Sequence, residues 1–334
     1  MIQYQLIAPE TLKKVETDIP KPKKDQVLIK VMAVSICSAD MAMYLGKFPL
    51  EYPLVMGHDL SGIISEVGEE VSELKVGDRV TVDPQRSCGV CYFCKTGQAK
   101  FCEKYSFMGK SGLEGGYQEY IVVEARYVHK LFDNVSYFEA SVIEPFAVAL
   151  HAFDFIKPFI GDTVVISGCG ANGLAHVQVA KAMGLKIIAL EVLKDRREMA
   201  SEMGAKLVFD PTEPDLDRLI KSQIRRRAYF IECAGVPASM EICIKHINRG
   251  GILVMSGSCD YNVNLRTFML KGLTFYGARG GGGTYPRAIE LISDGVINPK
   301  ALITKTFPFK EFEDAMKYNI AHRNEIIKTV LDYQ

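Results

Sequence analysis

Six residues constrain this chain more than any others: Gly168-Cys169-Gly170-Ala171-Asn172-Gly173. They form a G-x-G-x-x-G string directly after an apolar, β-branched run, Thr163–Ser167 (TVVIS), and directly before a helical pattern at 174–183. By itself the string says little. Between a strand and a helix it has a specific use. The first glycine makes the tight turn, the second lets a pyrophosphate approach the backbone, and the third lets helix and strand pack closely. The phosphates then meet the positive end of the helix. An acid about 20 residues further on, at the end of the next strand, takes the ribose hydroxyls. Glu191 stands there, after Lys186–Leu190 (KIIAL). Its carboxylate would repel a 2′-phosphate, which favours NAD over NADP.

The rhythm around the string agrees. A helical pattern at 196–203 and strand-like runs at 229–233, 251–255 and 273–276 continue the alternation. Strands alternating with helices imply right-handed crossovers and a parallel, doubly wound α/β sheet. The first third reads differently. Short β-branched runs at 27–34, 62–67 and Arg79–Val82 are punctuated by Gly46, Pro49, Pro53, Gly77-Asp78 and Asp83-Pro84, a pattern for a β-rich, barrel-like unit. The segment 141–156 is helical at least from Pro145, since proline suits a first helical turn. After Arg279 and the glycines at 280–283 come two helical patterns, 285–294 and 310–321, and a closing strand at 326–331. A length of 334 residues fits two domains, at roughly 100–200 residues each.

Charge excludes some functions. The 40 basic and 40 acidic side chains cancel, so no global field draws in nucleic acid or an anionic membrane. The basic run at 221–227 reads as a solvated helix face. The start, MIQYQLIAPE, lacks a basic segment leading into an apolar run, and no stretch approaches about 18 apolar residues. A cytoplasmic location is expected, and with it reduced thiols. Four of the nine cysteines crowd together as Cys88, Cys91, Cys94 and Cys102. Tight Cys-x-x-Cys steps with a fourth thiol after a short loop suit a closed, tetrahedral structural zinc. An iron–sulfur cluster uses similar steps.

Cys37, His58, Asp59 and Glu144 are candidates of another kind. Cys37 follows a strand, His58 follows Gly57 in a Pro-rich loop, and Glu144 precedes Pro145 in an apolar run. Each also has an ordinary reading: a core thiol, a hydrogen-bonded loop, an acid at a helix N-terminus. Spacing alone leaves both readings open.

Taken in order, Cys37, Gly57-His58-Asp59, the four-cysteine lobe, Gly115-Gly116-Tyr117, Glu144-Pro145, the glycine string and Arg279 resemble the zinc-containing medium-chain dehydrogenase/reductase family. The likeness covers essentially the whole chain and is greatest to the polyol and sugar branch, with its sorbitol, galactitol-phosphate and threonine dehydrogenases. It implies an α/β fold: a GroES-like β-rich catalytic domain at 1–145 carrying the zinc lobe at 88–102, a Rossmann NAD-binding domain at 146–278, and a segment, 279–334, that completes the catalytic domain. It implies two zinc ions per chain, one catalytic and one structural, with substrate in the cleft between the domains. Cys37 and His58 would hold the catalytic zinc. Asp59 stands where the family usually has Glu, and Glu144 matches a glutamate that ligates directly or through water. Two bound carboxylates would leave the site negative, so one at a time is expected. Asp40 would orient the histidine, Arg196 would lie near the adenosine, and Arg279 would reach substrate or cofactor.

Three departures stand out. The family's proton-relay hydroxyl is replaced by Ala39, with a hydroxyl one step earlier at Ser38. Asp59 is one methylene shorter than Glu. Gln85 stands where the threonine branch has histidine, which favours a polyol or sugar. The expected function is hydride transfer between NAD and a secondary alcohol, in a homo-dimer or homo-tetramer with no nucleic-acid or membrane partner. A threonine-type amino alcohol dehydrogenase, an NADPH-linked reductase, a non-catalytic nucleotide-binding homologue and a zinc-stabilised nucleic-acid module are the alternatives.

Overall fold

The first strands form where side chains alternate between core and solvent. In a computed structural model, which describes residues 1–110, 112–224, 227–281 and 283–334, β1 (Ile2–Ala8) and β2 (Thr11–Glu16) make an antiparallel hairpin. The sequence reading did not anticipate it, because β2 (TLKKVE) is mostly exposed and its lysines mask the alternation. β3 (Gln26–Ile36) is apolar over most of its length and is the spine of the first unit. After it come α1 (Ser38–Tyr44), β4 (Asp59–Val67), β5 (Arg79–Val82), β6 (Gln85–Arg86), α2 (Tyr92–Lys95), β7 (Ser106–Phe107), β8 (Tyr120–Glu124), β9 (Val128–Lys130) and α3 (Tyr137–Ala140). α4 (Glu144–Ile156) opens with Glu144-Pro145.

The second unit, Pro145–Thr284, holds a parallel sheet. Its elements are β10 (Thr163–Ser167), α5 (Ala171–Ala182), β11 (Lys186–Leu190), α6 (Lys194–Met203), β12 (Leu207–Phe209), α7 (Leu216–Gln223), β13 (Ala228–Glu232), α8 (Pro237–His246), β14 (Ile252–Met255), α9 (Leu265–Lys271) and β15 (Thr274–Gly277). The strand order is β12-β11-β10-β13-β14-β15. This is the doubly wound order in which direction reverses between the first strand and the fourth, here β10 and β13. Val165, Ile188, Phe230 and Leu253 fill its core. α7, α8, α9 and β12 were not read from the sequence; they are short, and α9 is exposed on its apolar positions. In the basic run 221–227, Lys221 lies on α7, while Arg225 and Arg226 fall outside the described residues, as does Gly282 of the glycine run.

The chain then returns to the first unit, Met1–Glu144 with Tyr285–Gln334. α10 (Tyr285–Ser293), β16 (Ile303–Pro308), α11 (Phe312–Ala321) and β17 (Lys328–Asp332) complete it. The main sheet there has seven strands, ordered β16-β17-β3-β4-β5-β9, with β8 also on β3. Leu6, Val27, Ile29, Leu60, Ile64, Tyr117, Phe312 and Leu331 are all fully buried in its core. Two registers bring distant side chains together at one end of this sheet: Ser35 of β3 faces Asp59 of β4, and Thr329 of β17 faces Ile36 of β3. Among the described residues, no helix is long and apolar enough to cross a membrane.

Candidate active site

The end of β3 and the start of β4 lie side by side, so residues distant in sequence meet. Cys37 is the N-cap of α1, and its N–H donates to Asp40 Oδ2 at 2.9 Å. His58 and Asp59 enter β4 after Gly57. Gly57 has φ +93°, and a Cβ there would press on the Tyr117 ring at 3.1 Å, so only glycine makes this turn freely. One ligand atom each from Cys37, His58 and Asp59 lies within 4.8 Å of the others.

Each ligand candidate is held from behind. His58 Nδ1 is 3.4 Å from Asp40 Oδ1, and its Nε2 is 3.7 Å from Asp59 Oδ1. Asp40 is fully buried and accepts a hydrogen bond from the Tyr117 hydroxyl at 2.8 Å. Burial works against the Asp40 carboxylate, but His58, the Cys37 N–H and Tyr117 together hold its pKa below the usual value. Asp59 Oδ2 accepts from Lys328 Nζ at 2.6 Å and Ser35 Oγ at 3.2 Å, whereas its buried Oδ1 has no hydrogen-bond partner.

The cluster calls for positive charge. Burial disfavours an imidazolium at His58, yet Asp59 and Asp40 outweigh it and push the pKa well above the ordinary value. Glu144 lies outside the three-atom group but is coupled to it: burial first, then Asp59, raises its pKa to about 7. A thiol, an imidazole nitrogen and an unpartnered carboxylate oxygen are a donor set that zinc accepts. The residues present therefore fit a divalent ion. Ser38 and Ala39 are exposed on α1, with Ser38 Oγ 3.9 Å from Cys37 Sγ. Gln85 lies on β6, opposite Phe107, whose ring sits 5.1 Å from that of His58. Phe107 and Lys328 were missed in the sequence; a lysine opening an apolar strand (KTVL) was the available signal for the second.

In the lobe, one sulfur from each of Cys88, Cys91, Cys94 and Cys102 lies within 4.8 Å of the rest. Cys88 and Cys94 sulfurs are 3.9 Å apart, and those of Cys91 and Cys94 3.5 Å. A tetrahedron with zinc–sulfur bonds of about 2.3 Å has an edge of roughly 3.8 Å. The spacing fits one ion and is too tight for ligands at the corners of a four-iron cluster. Backbone N–H groups point at the sulfurs, from Cys88 and Lys104 to Cys102 Sγ and from Cys91 to Cys88 Sγ. Hydrogen bonds from the Val90 and Cys91 backbone bring the Cys88 pKa down to about 6. Thiolates, which a metal requires, are what such donors stabilise.

The glycine string sits at the sheet's reversal. Gly168 has φ +93°, and a Cβ there would meet Ala234, just after β13, at 2.7 Å. A Cβ on Gly173 would lie 1.8 Å from the Gly168 carbonyl oxygen. Gly170, the N-cap of α5, is open; the nearest atom to a Cβ there is Arg196 Nη1 at 3.9 Å. Helix and strand thus close on two glycines and leave the third clear, as a pyrophosphate needs. α5 starts at Ala171, with Ala171 and Asn172 in its first turn. Glu191 is buried, its Oε2 accepting from Cys169 N at 2.7 Å and its Oε1 from Leu193 N at 3.0 Å. It ties the end of β11 to the glycine turn, a role the sequence reading did not assign. Arg279 lies exposed just after β15.

These features recur in known proteins. Residues 23–133 match the alcohol dehydrogenase GroES-like domain, and residues 171–294 match the zinc-binding dehydrogenase family. A sorbitol dehydrogenase of Bacillus subtilis is 35% identical over 95% of this chain and 93% of its own length. The structure of an Escherichia coli RspB protein complexed with NADH superposes with a TM-score of 0.93 at 30% identity, covering 100% of this chain and 99% of the other. Galactitol-1-phosphate dehydrogenase of Escherichia coli superposes equally well, TM-score 0.93, at 27% identity over 99% of this chain and 100% of that one. With three donors gathered at the end of β3, four sulfurs around one point and a glycine turn at the sheet reversal, this chain belongs to the zinc-binding, GroES-like alcohol dehydrogenase family.

Proposed function

We propose that the protein transfers a hydride between NAD and a secondary alcohol of a polyol, sugar or sugar derivative. The observation that carries this reading is the group formed by Cys37, His58 and Asp59, with Asp40 behind the histidine and the family's glycine turn in the second unit. Cys37 Sγ, His58 Nε2 and Asp59 Oδ1 would hold a catalytic zinc, with Glu144 as a further carboxylate for the ion or for the alcohol proton. The four lobe cysteines would hold a structural one. When bound, the catalytic ion supplies Lewis acidity that makes an alcohol far more acidic. The chain's own residues do the rest. Asp40 Oδ1, 3.4 Å from His58 Nδ1, would favour the tautomer with its proton there once the ion is bound, leaving Nε2 as the donor. Ala39 offers no hydroxyl for a relay, so the alcohol proton would pass to a carboxyl such as the buried Glu144, to a water, or to the neighbouring Ser38 hydroxyl. Gly170 and the start of α5 would receive the pyrophosphate and Glu191 the ribose, with Arg196 beside them; Arg279 would reach cofactor or substrate. The carboxylate of Glu191 favours NAD.

Replacing Cys37 with Ala should abolish turnover while NAD binding survives; normal turnover in that variant refutes the assignment. A screen of polyols, sugars and sugar phosphates with NAD, following the absorbance of the reduced cofactor, identifies the substrate.

The protein also reads as a homo-oligomer. β15 is an edge strand with Phe275 exposed, and Leu265, Met269 and Leu270 stand out from α9 beside it at 77%, 71% and 60% exposure. An open apolar edge of this kind invites pairing with another strand, and a second copy would cover it symmetrically. Sedimentation of the native chain as a monomer at micromolar concentration would refute this. The free thiols fit a reducing, cytoplasmic setting.

A further inference from the structure

Lys328 is an ionised group at this site that the proposed chemistry leaves unused. It is 2% exposed, and a lysine is almost never so buried unless paired. Its ammonium donates to Asp59 Oδ2 at 2.6 Å and to Ser35 Oγ at 3.2 Å. Ser35 Oγ donates in turn to the same Oδ2, at 3.2 Å. One oxygen of Asp59 thus receives two donors. The other, Oδ1, receives none and faces His58 Nε2 at 3.7 Å. The contact depends on the β3–β17 register, with Thr329 opposite Ile36, which sets Lys328 beside Cys37.

This asymmetry matters for a dication. A free carboxylate can present both oxygens to an ion; one pinned in this way presents one. A thiolate and two acids around one ion would also leave excess negative charge, which an adjacent ammonium offsets. Resting on the zinc reading above, we infer that Lys328 is a positioning residue: it confines Asp59 to single-oxygen contact with the metal and neutralises that carboxylate, leaving room beside Cys37 and His58 for the substrate.

The test uses the full, zinc-loaded chain with four variants: Lys328→Met, Lys328→Arg, Asp59→Asn and the double variant Lys328→Met/Asp59→Asn. Two quantities are read. One is the transfer of zinc to a chromophoric chelator, with the four-cysteine zinc as internal reference. The other is the visible absorption of protein carrying cobalt(II) in place of the catalytic zinc. With the ammonium removed, Asp59 can bind through both oxygens in a more negative site. K328M should therefore surrender the catalytic zinc at least tenfold less readily, and its cobalt bands should weaken as the coordination number rises. K328R should restore both. In the Asp59→Asn background, Lys328→Met should leave the cobalt bands unchanged and raise zinc retention by less than in the native background, because the oxygen contact acts through Asp59 and only the charge of the ammonium remains. Unchanged or weaker zinc retention in K328M overturns the inference, as does an equal effect in the Asp59→Asn background. If K328M alone fails to fold, the double variant, in which neither member of the Lys328–Asp59 pair is left unpaired, is compared with D59N: cobalt bands that differ between those two overturn it. A native chain that holds zinc only in the lobe removes the site reading and this inference together. A native chain with both sites filled, and a K328M indistinguishable from it, removes Lys328 alone.

Discussion

Replacing Tyr117 with Phe removes a single hydroxyl from the least accessible part of the candidate site. The Tyr117 ring is fully buried and lies against Phe312, centroids 4.1 Å apart, so the packing survives the change. What is lost is one hydrogen bond, 2.8 Å, to the ionised Asp40. Hydrogen bonds to charged groups contribute about 1.5–3 kcal/mol net. Asp40 keeps its bond from the Cys37 N–H, which places the expected loss near the middle of that range, about 2 kcal/mol. For a unit of this size each kcal/mol moves the melting temperature by about 2–4 °C, so Tm should fall by roughly 4–8 °C. The second effect is on the metal. Removing a partner behind a metal-bound histidine typically costs about 10–100-fold in affinity or activity; Tyr117 stands one step further back, behind Asp40, so its loss should cost less than that. Calorimetry of the zinc-loaded variant and zinc competition with a chelator read the two effects separately. A Tyr117→Phe protein that melts within 1 °C of the parent and holds zinc equally would refute the idea that Tyr117, Asp40 and His58 act as a chain.

Three other outcomes are expected from the geometry. Gly173→Ala should destroy NAD binding, measured by quenching or calorimetry, because its Cβ would fall 1.8 Å from the Gly168 carbonyl oxygen and one backbone must move; retained affinity would count against the glycine turn. Cys88→Ser, or prolonged treatment with a strong chelator, should unfold the 88–102 lobe locally, seen as new proteolytic cleavage there, while the second unit keeps its NAD affinity. Acid should destabilise the second unit through His176, which is fully buried with its Nδ1 2.7 Å from the Asn172 carbonyl oxygen and its Nε2 unpartnered. Burial brings its pKa down from 6.5 to about 4. The unfolded chain therefore binds a proton that the folded one excludes. Stability is complete above pH 6.5 and falls as pH drops toward 4, by about 3 kcal/mol for this group. A His176→Gln variant should lose that part of the pH dependence, and urea midpoints measured across the window would show whether it does.

Legibility in the sequence tracked the range of the interactions. β10 and β11 could be read residue for residue, because buried parallel strands are continuous apolar runs bounded by turns; the antiparallel β5 (RVTV) could be too, bounded by Gly77-Asp78 and Asp83-Pro84. The β1–β2 hairpin was obscured by the lysines of β2, whose alternation makes sense only once Leu12 is seen opposite Leu6. α8 was not read, because among its apolar residues only Met240 and Cys243 are buried and they make too short a stripe. At the site, Cys37, His58 and Asp59 were visible as oddities, and Asp40 through its position after Cys37. Phe107 and Lys328 were not, since an aromatic in a loop and a lysine at a strand end are ordinary until their burial is known.

Chemistry that depends on neighbours a few residues apart is written in the chain itself. Four thiols spaced over one short loop must meet, and glycines at 168, 170 and 173 must shape the turn between a strand and a helix, whatever the rest of the chain does. Which distant groups share a point in space is settled by strand pairing. Cys37 meets His58 and Asp59 only because β3 pairs with β4 with Ser35 opposite Asp59, and Lys328 reaches that carboxylate only because β17 pairs with β3 one step away. The cause is the two-residue period of a strand. A slip of one residue in either pairing would turn Asp59 or Lys328 to the other face of the sheet, and no local pattern of residues encodes that choice.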